Sequence, residues 1–243
     1  HKLLIFKITF VILCGFSFSQ TEHELFADDE IGKSYYIKSS SKNMKIDGFL
    51  SGEEWNHILP ITDFVQDEPE NGGSPSEKTE LYLTYNDETI FIGVKLFDSS
   101  PTKITRQLAP RDDWYGAFDE MADWMSIEFD SRHDHQTAFS FAVNASGVMS
   151  DEMVYNDADY DTDWNAIWNS DVQITSFGWS VEIEIPFSML PFNNRSVQTW
   201  GMNFTRFIQR KYETITWVSF PLEVEGVAST YGHLIGMTGI FPP

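Results

Sequence analysis

The sequence predicts an all-β fold, an antiparallel β-sandwich of immunoglobulin-like or jelly-roll type in one domain. Three observations predict it. Apolar and polar residues alternate over short runs, as in Trp179, Val181, Ile183 and Ile185 against Ser180, Glu182 and Glu184. Turn residues separate these runs, as in Asn86-Asp87-Glu88 and Ser176-Phe177-Gly178. No long stretch carries apolar residues at helical spacing. Alternation with a period of two puts every second side chain on one face of a pleated strand. Nine or ten such strands without long helices pack as two layers.

The first segment precedes the fold. Lys2 and Lys7 flank and interrupt an apolar run from Leu3 to Phe18, which ends in Ser17-Phe18-Ser19 with small residues at the −3 and −1 positions. This pattern predicts a secretory signal peptide over residues 1–19, too short for a membrane span, with an uncleaved anchor as the alternative. Residues 20–43 are polar and rich in Ser and Lys, and are expected to form a flexible leader. The sandwich is expected over residues 44–243.

Within it, Lys45-Ile46-Asp47-Gly48 opens the domain. Ser51 with Glu54 three residues on predicts a short capped turn that carries Trp55. Asp67 to Glu77, with Pro69, Gly72, Gly73 and Pro75, reads as a loop. Strands follow in hairpin pairs. Leu81, Leu83 and Tyr85 alternate before the first turn, and Ile90, Ile92, Val94 and Leu96 after it. Met125, Ile127 and Phe129 lead to the turn at Ser131 to His135, and Phe139, Phe141 and Val143 follow. Val172 and Ile174 precede the strand that Pro186 ends. Trp200, Met202 and Phe204, then Ile215 to Val218, then Leu234 to Ile240 supply the rest. Trp179 and Trp200 fall on the apolar phase and are assigned to the core, and Trp55 to one end of the sandwich.

The formal net charge is −21, and loss of the two signal lysines makes the remainder more acidic still. Such a surface repels nucleic acid and anionic lipid and attracts cations. The sole cysteine, Cys14, lies in the signal, so the domain has no disulfide; an exported, cysteine-free, acidic chain fits a bacterial envelope. Motifs for a serine-hydrolase elbow, a zinc protease or a phosphate-cradling loop are absent. No pair of carboxylates stands out as a glycosidase couple, since Glu182 and Glu184 read as an ordinary exposed strand face.

Two acidic regions draw suspicion instead. Asp157, Asp159, Asp161 and Asp163 match the first four ligand positions of a calcium loop by spacing, although Thr162 stands where such a loop needs glycine and no glutamate follows at the twelfth place. Calcium is the candidate ion there, and a solvated acidic loop is the alternative. Asp112, Asp113, Asp119, Glu120 and Asp123 form the second group. Aromatic residues are 15% of the chain and include eight tryptophans. Trp114, Tyr115, Trp124, Tyr160, Trp164 and Trp168 lie in or beside the acidic loops. They are the candidate stacking surfaces for a sugar, with packing into the fold as the alternative reading of each, and Glu120 is nearby for hydroxyl groups. His133 and His135 straddle Asp134 and form a weaker site for a transition metal.

These pieces together resemble carbohydrate-binding module family 9. The resemblance rests on Ile46-Asp47-Gly48 with Trp55, Thr84-Tyr85-Asn86-Asp87 with Ile90-Phe91-Ile92-Gly93-Val94, Ile127-Glu128-Phe129-Asp130, Gly178-Trp179 with Ile185-Pro186, and Tyr231-Gly232-His233-Leu234. It implies a β-sandwich, bound calcium and attachment to glycoside-degrading enzymes. Asp163-Trp164 with Trp168, Trp200-Gly201-Met202-Asn203 and Glu213 with Trp217 further resemble the N-terminal region of long outer-membrane proteins of Gram-negative bacteria. That implies export to the cell envelope, as outer membrane or periplasm, and contact with the outer membrane through a region beyond Pro243. One departure stands out. The paired tryptophans that sandwich the sugar in that family fall near Glu120 and Glu225, neither of them aromatic.

The expected function is a non-catalytic module that binds an oligo- or polysaccharide and not nucleic acid, and is associated with carbohydrate breakdown. The alternative is a docking domain of an outer-membrane β-barrel protein whose sugar site is lost. A glycosidase in its own right is the third reading.

Overall fold

A computed structural model describes residues 32–42, 44–50, 52–221 and 226–243. The expected signal peptide, most of the expected leader, Ser51 and Glu225 lie outside these residues.

Among the described residues fourteen strands make the architecture: β1 (Ser34–Tyr36), β2 (Lys38–Ser39), β3 (Val65–Glu68), β4 (Thr79–Tyr85), β5 (Thr89–Phe97), β6 (Trp124–Asp130), β7 (Ala138–Asn144), β8 (Met149–Tyr155), β9 (Asp159–Asp161), β10 (Asn169–Thr175), β11 (Gly178–Pro186), β12 (Val197–Ile208), β13 (Glu213–Thr216) and β14 (Gly232–Thr238). One four-residue helix, α1 (Trp114–Ala117), precedes β6. A nine-stranded sheet runs β1-β14-β12-β6-β7-β8-β9, with β13 and β3 branching from β12. A five-stranded sheet runs β10-β11-β5-β4-β2. The two layers form the β-sandwich that the alternating runs predict.

The alternation decides which face is buried. Met125, Ile127 and Phe129 of β6, Phe139, Phe141 and Val143 of β7, and Trp200, Met202 and Phe204 of β12 face Leu81, Leu83, Ile92, Val94, Trp179 and Ile183 across the sandwich, all nearly inaccessible. Each such side chain contributes on the order of 1.5–3 kcal/mol by leaving water. The first hairpin turn is fixed by Asn86, whose side-chain oxygen accepts from the N–H groups of Glu88 and Thr89. Gly178 sits at φ 145°, where an added Cβ would run into the Leu96 carbonyl.

Three expectations change. Residues 34–39, assigned to the flexible leader, form β1 and β2, which pair in parallel with β14 and β4 and bury Ile37. The sandwich is therefore not purely antiparallel. Trp55 does not plug an end. With Leu50, Tyr82 and Phe91 it forms a separate cluster on the outer face of the five-stranded sheet, where Gly93 leaves it room. Glu182 is not an exposed strand residue. It is fully buried under that cluster, accepting from Trp55 Nε1 at 2.6 Å and from the N–H groups of Asp47 and Gly48 at 2.7 and 2.8 Å. A buried carboxylate needs such donors, so the opening Asp47-Gly48 turn and Trp55 are held by one glutamate.

Among the described residues no helix is long and apolar enough to cross a membrane.

Candidate functional site

The other phase of the nine-stranded sheet carries the site. Opposite the core residues, β6 presents Trp124, Ser126 and Glu128, β7 presents Ser140 and Ala142, and β8 presents Ser150 and Glu152. The register places Asn203, Glu128, Ser140 and Glu152 in one row across four strands. Thr205, Ser126, Ala142 and Ser150 form the next row. Two strand spacings, about 10 Å, separate the backbones of the two glutamates. This polar floor lies at the bottom of a cleft of about 570 Å³.

Aromatic groups make the walls. Asp113 caps α1 by accepting from the Gly116 N–H, which sets Trp114 over the sheet. Trp114 stacks on Phe118 at 5.1 Å and meets Trp124 edge-on at 5.2 Å, and Trp124 lies over Phe207 at 5.9 Å. Trp124 Nε1 is held by the Asp119 carbonyl at 2.9 Å. On the other side stand Tyr160, Thr162, Phe220 and Val227. Tyr160 belongs to the edge strand β9, pairs with Val154 and is 50% exposed. Asp157 ties the Val227 segment down: its Oδ1 accepts from the N–H groups of Val227 and Ser229, and its Oδ2 from the Ser229 hydroxyl.

The electrostatics of the floor are unusual. Glu128 accepts from the Tyr231 hydroxyl at 2.5 Å and from Ser126 at 3.4 Å, yet burial still raises its pKa above the ordinary carboxylate value. Burial, helped by the neighbouring Glu128 charge, pushes Glu152 up to about 7. The same two carboxylates, added to burial, raise the Tyr160 hydroxyl, and burial with Glu128 raises that of Tyr231. Titratable groups displaced together in one cleft make this face the candidate functional surface.

The structure distributes the expected site residues unevenly. Trp114, Tyr115 and Tyr160 come together at the cleft. Trp164 and Trp168 lie on the opposite, core side of the sheet. Trp164 packs on Phe139 and Phe141, and buried Trp168 packs on Phe141 and donates to Asp151 Oδ1 at 3.1 Å. Their rings are taken up by packing because Asp151, under Arg111, anchors that turn from inside. Glu120 is exposed and does not line the cleft. Ser126, Glu128, Ser140, Glu152 and Thr205 were not among the expected residues.

The four aspartates of the acidic run do not converge on one point. Both oxygens of Asp157 are engaged with the 227–229 segment, and Asp161 accepts from the Asp163 N–H. Alternation along β9 turns Asp159 and Asp161 away from Tyr160 and the cleft. Among the described residues no group of three or more His, Cys, Asp or Glu side chains converges as a metal requires. His133 and His135 do acquire a third neighbour, His233, whose Nδ1 lies 3.2 Å from His133 Nε2. Burial, then the two neighbouring imidazoles, lowers His133 to about 4, so this contact joins neutral rings.

Solved structures share this architecture. A carbohydrate-binding module of family 9 from Caldicellulosiruptor kristjanssonii, in complex with cellotriose, superposes with a TM-score of 0.58 at 15% identity, over 85% of this chain and 95% of that one. The fold is family-9-like. A complex of a Caldicellulosiruptor kristjanssonii family-9 module with glucose gives 0.59 at 16% identity, over 87% of this chain and all of that one. A proposed carbohydrate-binding protein from Bacteroides uniformis gives 0.66 at 13% identity, over 84% of this chain and 99% of that one. No protein-family profile matches the chain. No curated protein sequence matches it. At these identities the likeness to family 9 is one of fold, and the cleft must be argued from its own residues.

Proposed function

We propose that the chain is a non-catalytic carbohydrate-binding module that holds a glycan in the cleft between Trp114 and Tyr160. The observation that carries this reading is the composition of the cleft itself. Flat rings stand on both walls and carboxylate and hydroxyl groups cover the floor, on a fold shared with modules solved with cellotriose and glucose. Aromatic faces suit the C–H face of a pyranose, and the floor groups suit its hydroxyls. Trp114 and Trp124 supply rings from neighbouring elements, in place of the aromatic pair missing at Glu120 and Glu225. Export to a Gram-negative envelope belongs to the same proposal and is supported by the apolar run before Ser19.

A glycan array followed by calorimetry tests it. Wild-type protein is expected to bind a neutral oligosaccharide, with affinity falling at least about tenfold in Trp114→Ala, the loss of one good stacking contact and its burial. Absence of binding to every glycan, with and without calcium, refutes the reading.

One observation favours a second reading. Glu128 and Glu152 stand on one face of the sheet, two strands apart, and a carboxyl raised to about 7 beside another carboxylate is a pairing that glycoside hydrolysis uses. That reading requires release of reducing ends by wild-type protein and its loss in Glu152→Gln.

A further inference from the structure

The charge of the cleft narrows the class of sugar. Glu152 makes no hydrogen bond to the protein among the described residues, and none of the ion pairs found there involves Glu128 or Glu152. No Lys, Arg or His lines the cleft. Arg111 pairs with Asp112 and Asp151, and Arg210 with Glu77 and Asp98. Two carboxylates thus share one side of the sheet without a counter-charge. The walls add the same preference by a separate route. The faces of Trp114, Trp124 and Tyr160 carry the negative side of an aromatic quadrupole, which attracts a cation within about 6 Å.

We propose that the cleft selects saccharides bearing a free, protonated amine, with the ammonium group seated between Glu128 and Glu152. This rests on the carbohydrate-binding reading above and specifies its ligand. The ammonium has three donors, and its charge favours the ionised form of both carboxyls, so the pair can offer it charge-assisted bonds in a partly dehydrated setting, about twice as strong as neutral ones. Ser126, Ser140 and Thr205 remain for hydroxyl groups of the same or the adjoining ring. A uronate or sulfated sugar meets only like charge and is excluded.

Calorimetry at about pH 7 separates the two levels of the claim, with cellotriose, a glucosamine trimer, its N-acetylated form and a galacturonate trimer as probes. The glucosamine trimer is expected to bind about tenfold or more tighter than the N-acetylated trimer, and the galacturonate trimer not to bind. Glu152→Gln keeps the shape and removes the charge, so the free-amine and N-acetylated trimers should then bind with equal affinity. Glu88→Gln, which removes one charge from an exposed turn, should leave the preference intact and so separates the cleft from the general acidity of the chain. Equal binding of free and acetylated trimers, or a preference that survives both Glu152→Gln and Glu128→Gln, overturns the inference and leaves the carbohydrate reading standing. Failure of all the neutral and amine-bearing trimers to bind overturns both.

Discussion

Glu152→Gln should stabilise the protein at alkaline pH and leave its stability unchanged in acid. Burial and the Glu128 charge move the Glu152 carboxyl from 4.5 to about 7 in the folded chain. Below pH 4.5 both folded and unfolded states hold the proton, and the residue costs nothing. Between 4.5 and 7 the unfolded chain releases a proton that the folded chain keeps, so stability falls as pH rises. Above 7 the folded state carries the charge at its full penalty. Each pH unit is worth about 1.4 kcal/mol, so the displacement sets a ceiling of about 3 kcal/mol. Because the side chain is partly exposed and shares its titration with Glu128, about 2 kcal/mol is the expected gain in the glutamine variant at pH 8. Urea unfolding followed by tryptophan fluorescence at pH 4 and pH 8 measures it, with the denaturant slope unchanged if only the native state is affected. A gain that is the same at both pH values, or a loss at pH 8, refutes the argument.

Other expectations follow from single contacts. Trp55→Phe keeps an aromatic ring, though a smaller one, and removes the donor to Glu182 Oε1, leaving a buried carboxylate short of a partner. Stability should drop by about 1–3 kcal/mol in thermal or chemical unfolding. Arg206 is fully buried, gives its guanidinium to the Lys78 and Phe97 carbonyls and the Thr79 hydroxyl, and faces Asp123. Arg206→Met strands those acceptors and should cost about 3–5 kcal/mol, more than Arg106→Met at a partly exposed position. Asp123, raised to about 6 mainly by burial, makes a corresponding penalty that appears as pH rises through about 4 to 6. Asp123→Asn should flatten the pH dependence of stability over that window.

Much of the sandwich is legible in the sequence because its core strands alternate cleanly. Met125, Ile127 and Phe129, or Trp179, Val181 and Ile183, need no partner to reveal which side is buried. The site is far less legible. Glu128 and Glu152 become neighbours only because β7 lies between β6 and β8, and the run at 149–155 does not alternate clearly enough to announce β8. The signal that existed was the polar phase of β6, with Ser126 and Glu128 opposite an apolar row. Trp164 and Trp168 do lie in the loop before β10, but Phe141 and Asp151 hold their rings on the core side, which their acidic neighbours in sequence do not reveal. The leader misled for a related reason. Ser34 to Ser39 lies in a Ser- and Lys-rich stretch, but its backbone extends the edges of both sheets, and backbone pairing leaves little trace in side-chain pattern.

The claim that the ring-walled face of the nine-stranded sheet receives a glycan is tested most directly by heteronuclear NMR during an oligosaccharide titration. Saturable shifts are predicted at the indole signals of Trp114 and Trp124 and at the backbone amides of Ser126, Ser140 and Tyr160, while Trp55, Trp168 and Trp179 stay still. Shifts confined to the five-stranded sheet, or a spectrum that no sugar perturbs, contradict it.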